Sequence, residues 1–252
     1  MSGHSKWANI KHRKAKQDAK RSKAFTGIIK NITMAARDGG PDPNFNPNLR
    51  LAIQNAKGVN MPKDTIEKAI KKGAGGEGAK LQYVTYEGYA SGGIAVFVEA
   101  TTDNPTRTVA NVRAAFNKFN GNLGTNGSLS FIFDQKGIFE INLAAIAGRD
   151  KEEFELELIE MGAEDIEWED EIVEVTSSFE DFGKMQKAFE DNKVEVASAK
   201  LERIPKSTTA LDTETALKVF KLIDKLEEDD DVTMVYHNLE LTDELEKELE
   251  KE

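Results

Sequence analysis

The apolar residues of this chain repeat at one period before residues 73–78 and at another after them, and those six residues read Gly-Ala-Gly-Gly-Glu-Gly. A glycine-rich stretch of this kind is a linker, so the change of period there marks a domain boundary. Upstream, Phe25, Ile28, Ile29, Ile32 and Ala36 recur at helical spacing and predict a helix over residues 18–37, stopped by Asp38-Gly39-Gly40-Pro41. Asn46-Pro47 supplies an N-cap followed by Pro at the first helical position, and opens a second helix with Leu49, Ala52, Ile53 and Ala56 inward, ending at Gly58. A third starts at Pro62, turns Ile66, Ala69 and Ile70 inward and stops at Gly73. Three short amphipathic helices can bury one another's apolar stripes.

Downstream, residues 82–87 and 93–101 read as strands, the second almost continuously apolar. Asn104-Pro105 opens a helix with Val109, Val112, Phe116 and Phe119 on one face. A Gly/Asn-rich loop at 120–128 leads to a predicted strand, Ser130 to Phe133. Residues 136–204 then run strand, helix, two strands, helix, strand, which is the split βαβ or ferredoxin-like order. A helix near 212–228 and a strand from Val232 to His237 complete the set begun at residue 82. The expected fold class is therefore α+β multidomain: an N-terminal three-helix domain followed by two α+β, ferredoxin-like domains, one inserted in the other. The expected boundaries are 1–80, 81–134 plus 205–240, an inserted acidic domain at 135–204, and an acidic tail at 241–252.

Charge divides the chain as sharply as periodicity does. The net charge is -11, but residues 1–80 carry +11 and residues 81–252 carry -22. Such asymmetry points to a polyanion-binding segment on a body that resists nonspecific adhesion to nucleic acid. Up to Lys23 only Asp18 opposes Lys6, Lys11, Arg13, Lys14, Lys16, Lys20, Arg21 and Lys23. Apolar residues are sparse before Phe25, so this stretch reads as an arm that is mobile when free. Arg13, Lys16, Lys20 and Lys23 would share one face of a helix, and Trp7 and His12 can stack on unpaired bases. These ten residues are the candidate nucleic-acid contacts. Arg107 and Arg113, on the helix after Asn104, are secondary candidates, while capping accounts for Asp103 and Asn104.

Other chemistry finds little footing. There is no Cys, which excludes disulfides and Cys-based zinc sites, and His4, His12 and His237 are too scattered for a His metal site. No stretch approaches the ~20 apolar residues of a membrane span. The loop Gly121 to Ser128 lacks the ending of a P-loop and reads as a turn. The acidic run Glu227 to Asp231, on a helix end, reads as solvated. The expectation is a cytoplasmic, non-enzymatic protein with no cofactor, no metal, no membrane and no small-molecule substrate. Its expected partner is nucleic acid, DNA or ribosomal RNA, with the ribosome as a further candidate.

Four stretches carry a resemblance: SGHSKWANIKHRK, NPNLRLAIQNAKGVNMPKDTIEKAIKKG, YEGYASGGIAVFVEATTDN and GNLGTNGSLSFIFDQKG. Together they resemble the YebC family, which includes bacterial proteins named as probable transcriptional regulators and a mitochondrial translational activator. The resemblance implies a three-domain cytoplasmic protein without cofactor, a helical domain and two α+β domains, with no presequence ahead of Ser2. Its N-terminal motif falls on Lys6, Trp7, Lys11, His12, Arg13 and Lys14. The family's Thr-Asp-Asn-x-Asn-Arg-Thr pattern stands here as Thr102 to Thr108, with Thr106 in place of an amide. By this resemblance the protein is expected to regulate transcription on DNA; the alternative is a translation factor that binds ribosomal RNA.

Overall fold

The computed structural model describes residues 17–76 and 81–249, and its N-terminal quarter is helical: α1 (Gln17–Gly39), α2 (Pro47–Gly58) and α3 (Lys63–Ala74). The Asn46-Pro47 pair does what its chemistry predicts. Asn46 Oδ1 accepts from Leu49 N at 3.0 Å, and its amide donates to the carbonyls of Ala35 and Gly40. One buried side chain thus caps α2 and closes the loop from α1. Gly73 is set by contact: a Cβ there would stand 2.3 Å from the Thr33 carbonyl oxygen.

Beyond the helices lie β1 (Gln82–Tyr89), β2 (Ala95–Thr102), α4 (Pro105–Lys118), β3 (Asn122–Leu123) and β4 (Phe133–Asn142). There follow α5 (Lys151–Met161), β5 (Ala163–Trp168), β6 (Ile172–Ser178), α6 (Phe182–Asp191) and β7 (Ser198–Pro205). The chain closes with α7 (Thr213–Glu227), β8 (Val232–His237) and α8 (Asp243–Leu249). The described residues divide into two compact units, one of 17–30, 81–134 and 204–249, the other of 31–76 and 135–203.

The first unit is built on a sheet of order β3-β1-β2-β8, with β1 antiparallel to β2 and β2 to β8. Val96, Val98 and Ala100 face one side, where Val112 and Phe116 of α4 and Val219, Phe220 and Ile223 of α7 bury them. Leu241, Leu245 and Leu249 belong to the same core. Residues 241–249, expected as part of an acidic tail, include α8, and leucines four residues apart, one just ahead of it and two on it, face this core. The opposite face of the sheet holds a smaller cluster of Ala95, Phe97, Tyr236, Leu129 and Phe133.

A second correction falls on Ser130 to Phe133. That segment is a run of turns, and β4 begins only at Phe133. Leu129 and Phe133 are buried while Phe131 is 67% exposed, a burial pattern set by turns and not by strand pleating. The turns are held from outside the segment. The buried carboxylate of Glu87 on β1 accepts from the main-chain N–H of Gly127 at 2.7 Å and of Leu129 at 2.6 Å.

The second unit carries the predicted βαββαβ order, with sheet order β5-β6-β4-β7. Phe139, Ile141, Val173 and Val175 meet Phe154 and Leu158 of α5 and Met185 and Phe189 of α6. Helix α2 lies along β7. Asn55 Oδ1 accepts from Ala199 N at 2.9 Å, its Nδ2 donates to Ala199 O at 2.8 Å, and Gln54 donates to Val196 O. The Asn55 amide thereby takes the place of a neighbouring strand and covers an edge that would otherwise be open to pairing. Gly58 allows this approach, since a Cβ there would clash with the Ala197 carbonyl.

On the sheet face away from α5 and α6, Glu140 on β4 and Glu167 on β5 both stand directly opposite Glu174 on β6. Like charges in register repel. Lys200 Nζ relieves part of this by pairing with Glu140 at 3.1 Å and Glu202 at 2.9 Å. Burial, with the Glu202 charge next, pushes the Glu174 carboxyl up to about 7. A carboxyl raised in the folded state binds protons there more tightly, so its contribution to stability falls as pH rises from about 4.5 to about 7. Glu174→Gln is expected to stabilise the fold at pH 8 by about 1 kcal/mol once the solvated part of the site is discounted, seen as a higher Tm, and to have no effect below pH ~4. Thermal melts of both proteins across this range check it.

Candidate nucleic-acid interface

Of the ten predicted contacts, Lys6, Trp7, Lys11, His12, Arg13, Lys14 and Lys16 lie outside the described residues. Lys20 and Arg21 stand on the first turns of α1, where the backbone alone is described. Lys23 is the first of the set with a described side chain, and it is engaged. Its Nζ donates to the main-chain carbonyl of Asp229 at 2.9 Å. Burial lowers the Lys23 ammonium's pKa, against the opposing pull of the Asp229 and Asp230 carboxylates.

Two helical turns further, on the same face of α1, stands Lys30. Its ammonium meets three acceptors: Thr101 O at 2.8 Å, Asp230 O at 2.7 Å and Asp231 Oδ1 at 3.4 Å. An ammonium has three protons, so this one is saturated. Its side chain is only 16% exposed. The positive charge of Lys30 is therefore used inside the protein.

Asp231 is the centre of this arrangement. Its Oδ2 accepts from Arg107 Nη2 at 2.6 Å, and the hydroxyls of Thr102 and Thr108 lie within reach at 3.0 and 2.9 Å. Its main-chain oxygen accepts from Thr101 N, and its own N–H donates to Asp229 Oδ1. Burial pushes this carboxyl up, but the hydrogen bonds from Arg107, Thr108 and Thr102 outweigh it, and the pKa stays below the ordinary carboxylate range. Asn111 of α4 donates to Asp229 Oδ2 at 2.8 Å and adds a further tie.

The polar cluster at the end of β2 is thus explained residue by residue. Asn104 caps α4, accepting from Arg107 N at 3.1 Å. Thr102 and Thr108 are fully buried beside Asp231. Arg107, a secondary candidate, bridges Asp103 at 2.9 Å and Asp231. Arg113, the other, is exposed on α4. Thr106, which replaces the family's amide, has no described contact in this network. The loop at 121–128, expected as a plain turn, contains the short strand β3 paired with β1 before its turn begins, and two N–H groups in and beside it are occupied by Glu87. Among the described residues, no group of His, Asp and Glu is placed to hold a metal ion. No described helix is long and apolar enough to cross a membrane.

Sequence reasoning missed Lys30, Asp231 and Asp229, and it read the run Glu227 to Asp231 as solvated. That reading is corrected for Asp229 and Asp231, whose carboxylates accept from Asn111 and Asp231 N and from Lys30 and Arg107; Asp230 is exposed, and its main-chain oxygen accepts from Lys30. Two signals pointed to it. Lys23 and Lys30 are seven residues apart, hence on one helix face. The acidic run also sits at the C-terminal end of α7, where a helix disfavours negative charge.

Comparison with known proteins gives a consistent picture. A family model described as the TACO1/YebC protein N-terminal domain matches residues 5–76, and one described as the TACO1/YebC second and third domain matches residues 81–239. The chain is 54% identical, over 95% of its length and 98% of the relative's, to a "Probable transcriptional regulatory protein" of Amoebophilus asiaticus. It is 45% identical, over the full length of both, to a protein of the same name from Halothermothrix orenii. Among solved structures it is similar to the conserved hypothetical protein Aq1575 of Aquifex aeolicus, with a TM-score of 0.81 and 46% identity over 94% of this chain and 97% of that one. The α+β multidomain class expected from the sequence is the class of that structure.

Replacing Asp231 by Ala leaves the Lys30 ammonium, the Arg107 guanidinium and two buried hydroxyls short of an acceptor. The expected loss is about 2–4 kcal/mol, read as a drop in the denaturation midpoint. Since the folded pKa of Asp231 is depressed, its stabilisation is present above the unfolded value near 3.8 and is lost as pH falls through the folded one. The difference between wild type and Asp231→Ala should therefore shrink below pH ~4.

Proposed function

Because the chain belongs to the TACO1/YebC family, we propose that it is a nucleic-acid-binding regulator of gene expression, acting on transcription by binding DNA through its basic N-terminal arm. The observation that carries this reading is the charge division, +11 in residues 1–80 against -22 in the rest. Lys and Arg that neutralise phosphates release counterions, and an acidic body orients binding through the other end. In this reading Lys6, Lys11, Arg13, Lys14, Lys16, Lys20, Arg21 and Lys23 are phosphate contacts, and Trp7 and His12 stack on bases. The name shared by the relatives supports transcription as the process.

One observation favours a second reading, a translation factor on ribosomal RNA. Base edges in a duplex are read by side chains such as Arg, Asn and Gln projecting from a helix. On α2, Arg50 is held by Glu190 and the Pro43 carbonyl, while Gln54 and Asn55 are held by main-chain groups. Helix α3 exposes Lys63, Asp64, Glu67, Lys68, Lys71 and Lys72, which suit phosphates better than base edges. Recognition by phosphate contact and stacking is the mode used on RNA loops and single strands.

Both readings predict that replacing Lys11, Arg13, Lys14 and Lys16 together with Ala weakens binding. The slope of log K against log salt should fall by about one unit per lost contact. Unchanged binding in that variant removes the arm from the mechanism. Crosslinking in cells, followed by sequencing of the attached nucleic acid, separates the two: discrete promoter sites support the first, and predominantly ribosomal RNA supports the second.

A further inference from the structure

The residues after α7 read Glu228-Asp229-Asp230-Asp231, four consecutive carboxylates at the end of a helix where the backbone dipole is already negative. Local rules place lysine there, not aspartate. What compensates is the basic face of α1, and its two lysines are held very differently. Lys30 has three acceptors and is nearly sealed from solvent. Lys23 has one neutral main-chain acceptor among the described contacts, the Asp229 carbonyl. Exchange of that single bond for a phosphate oxygen loses no buried partner, whereas extraction of Lys30 would strand three.

We infer that the 228–231 turn is an internal polyanion that occupies Lys23 and so competes with nucleic-acid phosphate for the start of α1, while Lys30 stays fixed as the anchor. The inference rests on the nucleic-acid reading above and adds to it a masked contact. The basic arm meets the phosphate backbone first. Phosphate then draws Lys23 off the Asp229 carbonyl, and the turn loses one of its two lysine ligands. Asp230 sets the field without being needed for the fold: it is exposed, and its carboxylate makes no hydrogen bond among the described residues. Asp229 uses its carboxylate to accept from Asn111 and from Asp231 N, roles that an asparagine oxygen can share.

The test is the double variant Asp229→Asn/Asp230→Asn in the full chain, titrated with labelled random-sequence duplex DNA and with an RNA stem-loop of the same length. The variant should bind roughly two- to fivefold more tightly than wild type at low salt, the scale of one or two surface charge pairs. Its salt slope should be steeper by about one. Adding Lys23→Ala should abolish that gain. Glu152→Gln/Glu160→Gln makes the same change in net charge at exposed positions on α5 and should leave affinity unchanged. Equal affinity of wild type and the Asp229/Asp230 variant overturns the masking alone. A gain that survives Lys23→Ala, or one matched by the α5 variant, overturns it too by making the effect one of net charge. No binding by any of these proteins overturns the nucleic-acid reading and the masking with it. Should the double variant not fold, Asp230→Asn alone carries the same comparison.

Discussion

A single buried carboxylate holds together the parts of the first unit that are farthest apart in sequence. Asp231 collects α1 through Lys30, the end of β2 through Thr102, and the first turn of α4 through Arg107 and Thr108. Moving a carboxylate out of water costs several kcal/mol unless donors replace its hydration. Here two cations and two hydroxyls do so, and the pKa is depressed in spite of burial. Removing any one partner leaves the others worse off, which makes the site cooperative. The position in this unit of α1 up to Lys30 follows from that coordination.

Glu87 repeats the device at another end of the same sheet. A buried acid on β1 accepts from the N–H groups of a turn-rich segment that has little regular structure of its own. The segment 121–129 offers N–H groups of the kind that elsewhere cradle phosphate. In this chain an internal carboxylate is the anion. Asp231 and Glu87 together show how a strongly acidic body is used: its buried acids order the backbone and the basic residues around them, while its exposed acids set the long-range field.

Much of the architecture was legible because it is local. Asn46-Pro47 and Asn104-Pro105 cap their helices through hydrogen bonds that span three residues, and the βαββαβ order follows from periods of two and 3.6. The misreadings are non-local. Ser130 to Phe133 is apolar enough for a strand, yet it continues a run of turns that Glu87, forty residues or more away, ties down at Gly127 and Leu129. Residues 241–249 look like a charged tail until the spacing of Leu241, Leu245 and Leu249 is weighed against the core they enter. The Lys30–Asp231 pair joins residues 201 apart, a separation at which no periodicity carries information. Of the candidate interface, residue types and their clustering were legible; which lysines the protein uses for itself was not.

That last point changes how the formal charge of the N-terminal quarter is to be read. Its basic residues are not equally available to a polyanion. Lys30 is saturated, Arg37 is paired with Asp38, Arg50 with Glu190, and Lys63 stands near Glu67. Each such pair contributes to the count while presenting little field outward. A locally unfavourable feature, an acidic run at a helix C-terminus, was the mark of this redistribution, since a violated local rule implies compensation elsewhere in the fold. Among the described residues Lys68, Lys71 and Lys72 of α3 stay exposed, while Lys23 stands at the border between charge used to build the protein and charge that faces outward.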